Sequence, residues 1–131
     1  MRRIISISVL ALACLSAHAY ASGPIGTVPD FRSIEDRLDG DDALAEGRTA
    51  IMGVIPPGTK VADAEAILKN AGALCKPKHH DAQTVRCIYN DVRIGDDAID
   101  HVQWNTLLHI VNDKVVGLSL NREVDRHSLQ D

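Results

Sequence analysis

An α+β domain, with two N-terminal helices packed on a small antiparallel sheet of three to four strands and one disulfide, is the fold class that the sequence predicts. Three observations carry it. Val61, Ala64, Ile67, Leu68 and Ala71 recur at three- and four-residue spacing, which places them on one face of a helix. After Gly72 the apolar period changes from that of a helix to that of a strand. Two cysteines, Cys75 and Cys87, then fall in the first two strands of a 131-residue chain with room for one domain.

The first 21 residues read as a signal peptide rather than as part of that domain. Arg2 and Arg3 form a basic start, Ile4 to Leu15 an apolar run, and Ala17, Ala19 and Ala21 an A-x-A-like cleavage region. The apolar run falls short of the ~20 residues that a membrane span needs, so no transmembrane span is expected. Cleavage after Ala21 is favoured, with Ala19 as the second choice. Ala13 before Cys14 leaves a lipid anchor at Cys14 as the competing outcome. The expected location is periplasmic or secreted.

Residues 22–30 (SGPIGTVPD) read as a flexible leader. A single α+β domain is expected over residues 31–122. Phe31, Ile34 and Leu38 mark a helical pattern that Gly40 interrupts, and the pattern resumes at Asp41 and Asp42, where carboxylates suit the positive end of a helix dipole. It carries Leu44, Ala45 and Ile51 to about Val54, with Gly47 costing up to about 1 kcal/mol relative to Ala. Pro56-Pro57-Gly58 is a stop and turn, and Thr59 is the expected N-cap of the next helix. Glu65 and Lys69 are spaced for an i,i+4 pair, and Gly72 suits a left-handed C-terminal position.

The strands follow. Residues 73–76 form a first, and Thr84 to Tyr89 a second with Val85, Cys87 and Tyr89 on one side. Asn90 to Asp100 reads as a polar loop. In the strand His101 to Val111, the alternation puts Val102, Trp104, Thr106, Leu108 and Ile110 towards the core. Side-chain parity then favours a three-residue loop, Asn112 to Lys114, pairing Ile110 with Val116 and Leu108 with Leu118. Residues 123–131 read as a charged tail.

Composition excludes several functions. Without Arg2 and Arg3, 12 basic residues stand against 18 acidic ones, a net charge of −6. With one Trp and one Phe as well, the chain lacks the basic stripe and stacking aromatics of a nucleic-acid-binding protein. No G-x-S-x-G, free catalytic cysteine or phosphate-cradling glycine loop appears, so neither an enzyme nor a cofactor is expected. In an oxidising compartment Cys75 and Cys87 are expected to pair, an arrangement worth roughly 3 kcal/mol.

His79-His80-Asp81 is the densest histidine cluster, but neighbouring side chains diverge and seldom hold one ion. His101 and His109 stand roughly 26 Å apart in an extended strand. Residues 35–46 imitate a calcium loop, but Arg37 and Ala43 occupy ligand positions. No metal site is therefore assigned, and a metal- or small-ligand-binding protein using the loop with His79 and His80 is the alternative reading.

The order of helices before antiparallel strands, with a P-x-G-T turn at residues 56–59 followed by Ala64 and Leu68 at the second helix, resembles the BamE-like and β-lactamase-inhibitor-protein-like superfamily of small periplasmic proteins. Gly58, Thr59, Ala64 and Leu68 carry the match, Gly72 closes it, and the resemblance covers roughly residues 41–122. It implies a non-catalytic protein that binds another protein through the open face of its sheet or the adjoining loops, as an inhibitor, an immunity protein or an envelope-assembly accessory. The candidate partner surface comprises Asp91, Asp96, Asp97, Asp100, Gln103, Asn105 and His109.

Overall fold

The computed structural model describes residues 30–38 and 40–129. The signal peptide of residues 1–21, including Cys14, and the leader up to residue 29 lie outside the described residues, as do the last two residues of the chain.

Asp30, expected in the leader, is the N-cap of helix α1 (Phe31–Arg37), and its Oδ1 accepts from the backbone N–H of Ser33 at 2.7 Å. Helix α2 (Gly40–Val54) begins at a glycine with φ +59°, so the interrupted helical pattern is two separate helices and the described residues hold three. Helix α3 (Val61–Asn70) follows the proline turn. It buries Ala64 and Leu68, with Val61 and Ile67 half-buried beside them, and Lys69 Nζ meets Glu65 Oε2 at 3.1 Å. Gly72, at φ +100°, closes it as the apolar spacing predicts, and the next amide, Ala73 N–H, returns to the Leu68 carbonyl.

Thr59 is not the N-cap. Its hydroxyl turns back to donate to the Pro56 carbonyl at 2.6 Å, leaving Lys60 at the cap with no side-chain hydrogen bond. The exposed amide of the first turn is satisfied from afar: Val61 N–H reaches the Asp113 carbonyl at 3.2 Å. Gly58 and Thr59 likewise exchange backbone hydrogen bonds with Val115. A tertiary partner has replaced the local cap.

Four strands form an antiparallel meander in the order β1 (Leu74–Lys78), β2 (Asp81–Ile94), β3 (Ala98–Val111) and β4 (Lys114–Ser128). The domain is thus α+β with a four-stranded sheet. The helices lie on one face, over a core that includes Phe31, Ile51, Leu68, Leu108 and Trp104. Phe31 packs between Tyr89 and Trp104, with ring centroids 5.2 and 5.3 Å away. Cys75 and Cys87 are direct cross-strand partners joined by a disulfide, with Cys87 fully buried.

Three expectations are corrected. Residues 90–100 are not a loop: β2 runs to Ile94 and β3 starts at Ala98, leaving only 95–97 as the turn. Charged residues also sit on the helix side of this end of the hairpin, where they are met by partners: Arg93 by Glu35 and Asp36 of α1, and Asp100 by Arg126. Nor is the chain a tail from residue 123, because β4 pairs with β3 as far as Ser128 opposite Ala98.

The β3–β4 connection is a two-residue turn at Asn112 and Asp113, with φ of 50° and 60°, as a type I′ turn requires. The residue that parity demanded in the loop is instead placed within β4 as a bulge. Ile110 pairs with Val115, His109 with Gly117, and Val116 is left between them. Leu108 still faces Leu118. The inward residue is therefore Val115, 1% exposed, and Val116 points outward at 52%.

Candidate functional site: the uncovered face of the sheet

Strand parity decides what each face carries. Along β3, buried Val102, Trp104, Thr106 and Leu108 point to the helices, so Gln103, Asn105, Leu107 and His109 occupy the other face. Their cross-strand partners join them there: Asn90, Ile88 and Arg86 from β2, and Glu123, Asn121 and Ser119 from β4. Among the described residues, no helix covers this face.

A chain of side-chain hydrogen bonds crosses it. Arg86 donates twice to Asn105 Oδ1, at 2.9 and 2.6 Å. Asn105 Nδ2 donates to Gln103 Oε1 at 3.0 Å, and Gln103 Nε2 to Asn90 Oδ1 at 2.8 Å. On β4, Asn121 donates to Glu123 at 2.9 Å. These bonds hold polar side chains in fixed positions on an exposed surface, reducing the entropy that a partner must remove on docking.

The apolar component is also exposed. Leu74, Val92 and Ile94 are 72%, 52% and 77% accessible, and register places all three on this face. Charge is divided along it. Lys76, Lys78 and Arg86 lie at the β1–β2 end, beside a groove of about 1060 Å³, whereas Glu123 and Asp125 lie on β4.

The seven residues expected to form a partner surface are not all brought together. Gln103, Asn105 and His109 share the uncovered face, and Asp96 and Asp97 are exposed in the turn at its far end. Asp91 and Asp100 lie on the opposite face. Asp91 pairs with inward-facing Val102, and burial together with Asp91 pushes the neighbouring Tyr89 hydroxyl up to about 12. Asp100 is held by Arg126 through bonds of 2.7 and 2.8 Å, and the hydrogen bond from that guanidinium keeps its carboxyl below the ordinary aspartate value.

The sequence reading also missed the cluster that fixes which face is covered. Glu35 of α1 is 1% exposed. Its Oε1 accepts from Trp104 Nε1 and from Arg122 Nε, both at 2.6 Å, and its Oε2 from Arg122 Nη2 at 2.8 Å. Arg93 approaches Oε2 at 3.5 Å, also donates to the Glu35 backbone carbonyl, and meets Asp36 at 3.1 Å. Burial alone would raise the Glu35 pKa. The hydrogen bonds from Arg122 and Trp104 and the charges of Arg122 and Arg93 outweigh it, so the net shift is downward. The available signal was a glutamate beside Ile34, within the apolar stripe of Phe31, Ile34 and Leu38. Its two arginine partners stand 58 and 87 residues away.

The rings of His79 and His80 are 6.3 Å apart, and both side chains are exposed in the β1–β2 turn. Among the described residues, no three His, Cys, Asp or Glu side chains converge as a metal site, and no helix is long and apolar enough to cross a membrane. Comparison with protein-family models, curated proteins and solved structures finds no match.

Proposed function

We propose that the chain is a non-catalytic, secreted or periplasmic protein-binding module that seats its partner on the uncovered face of the sheet. The observation that carries this reading is the asymmetry of the sheet. One face is sealed by three helices, and the other presents ordered polar side chains with three exposed aliphatic ones. The disulfide accords with an oxidising compartment, and the order of helices before a meander accords with the BamE-like resemblance. Glu123 and Asp125, with Asp96 and Asp97 at the nearby turn, suit a basic loop on the partner, such as that of a cell-wall hydrolase or a secreted toxin.

Affinity capture from an envelope extract tests the proposal when the native protein is compared with the Glu123→Arg/Asp125→Arg variant. The expected result is a specific protein retained by the native chain and lost by the variant. A single hydrolase or toxin identifies an inhibitor or immunity protein, and an abundant outer-membrane complex identifies an assembly accessory. Retention of nothing, or equal retention by both baits, overturns the reading.

A second reading, a small-ligand-binding protein using the β1–β2 turn with His79 and His80, is favoured by the groove beside that turn.

A further inference from the structure

We infer that the groove at the β1–β2 end of the uncovered face is a binding site for an anionic amphiphile, an acidic head group carried on an apolar chain. The inference rests on the small-ligand reading of this turn and names its ligand class.

Two independent features of the groove define that class. The first is shape with apolar lining. Leu74 and Ile88 are direct cross-strand partners on the uncovered face, and Pro77 joins them where the strand pairing shifts register. A leucine that is 72% exposed on an edge strand gains from being covered. The groove holds about 1060 Å³, just above the usual range for small-molecule sites, and accommodates a chain of a dozen carbons.

The second feature is charge. Lys76, Lys78 and Arg86 border the groove, and the one carboxylate on its lining, Asp81, is occupied by Thr84 Oγ1 at 2.6 Å and Gln83 N–H at 3.0 Å. Acidic residues outnumber basic ones by 18 to 14 in the whole chain, so three cations at one groove are a local reversal of the protein's charge. Arg86 is already positioned by Asn105, which leaves the two lysines to close on an anionic head. A cationic or uncharged amphiphile would gain from the apolar lining alone.

The groove also explains features that the core does not require. Lys76 and Lys78 are both exposed and lie outside the core; the charge of Lys78 bears on Asp81, its cross-strand partner at the groove. Pro77 lacks a backbone N–H, which blunts β1 as a template for another strand and favours side-chain capture over strand addition at this edge.

Isothermal titration of the purified protein with dodecanoate and with dodecyltrimethylammonium, both below their micellar concentrations, tests the inference. The tails match and the heads have opposite charge. The expected result is one-to-one binding of dodecanoate, about tenfold or more tighter than the cation, with affinity rising by up to about fourfold per methylene from octanoate upward. Lys76→Glu/Lys78→Glu is expected to reverse the preference without altering the melting temperature, and Arg48→Glu on α2 to leave it unchanged. Equal binding of both amphiphiles keeps the ligand site but overturns its anionic class. Absence of binding by either overturns the site itself, and neither outcome bears on the docking of a protein partner.

Discussion

Replacing Glu35 with alanine is expected to lower the unfolding free energy by about 3–5 kcal/mol, the range for removing one partner of a buried charge pair. The carboxylate is almost wholly buried and joins α1 to both β3 and β4 through Trp104 and Arg122. Its loss leaves an arginine that is only 13% exposed facing a cavity, and takes the acceptor from a buried indole N–H. Glu35→Gln retains an acceptor for Trp104 but removes the charge, so its loss is expected to be smaller. Urea unfolding at neutral pH measures both, and a loss below about 1 kcal/mol for Glu35→Ala would count against the cluster as the anchor of α1.

The same residue sets an acid dependence. The folded-state pKa of Glu35 lies below its unfolded value, so the folded state favours the ionised form. Its contribution is complete above the unfolded glutamate pKa and is lost as pH falls through the lower folded value. The native protein is therefore expected to lose stability on acidification through that window, and Glu35→Ala to show a flatter profile there.

Gly47→Ala is expected to destabilise the domain by about 1–3 kcal/mol, the range for overpacking a filled core. Helix propensity alone predicts the opposite sign, a gain of about 1 kcal/mol for replacing a glycine inside α2. The packing decides between them. A Cβ at residue 47 would collide with the six-membered ring of Trp104, coming within 2.6 Å of Cη2 and also meeting Cζ3. The indole cannot move aside easily, because it is fully buried, its Nε1 is bonded to Glu35, and Phe31 packs against it. Thermal unfolding of the variant gives the sign directly.

These two sites show what was legible in the sequence and what was not. Helix α3 was legible because its apolar residues obey one local period, and β3 because fully buried and partly exposed residues alternate from Val102 through Leu108. The cysteine pair was legible because compartment and spacing agree. Thr59 illustrates the limit: the capping residue type was present, but a backbone carbonyl from the β3–β4 turn supplied the partner instead. Val115 and Val116 illustrate another, since a bulge changes which of two adjacent valines points inward while leaving the later pairing of Leu118 intact.

The partner surface was legible only along β3. Gln103, Asn105 and His109 follow from strand parity, whereas Asp91 and Asp100 read as loop residues because charge at the end of a long hairpin resembles charge in a turn. Glu35 was read as one position of a false calcium loop. Its role depends on contacts with Arg93 and Arg122, which no local window contains. Gly47 was counted as a defect in α2 because the ring that occupies the space of its missing side chain lies 57 residues further along the chain.

The central claim is that the helices seal one face of the sheet and leave the other to bind a partner protein. Amide and side-chain NMR of the isotopically labelled domain, titrated with the protein captured by affinity purification, tests it most directly. The account predicts shifts clustered on Ile88, Asn90, Gln103, Asn105 and Asn121, with α1, α2 and α3 unchanged. Shifts concentrated on the outer surfaces of the helices, with the uncovered face silent, would contradict it.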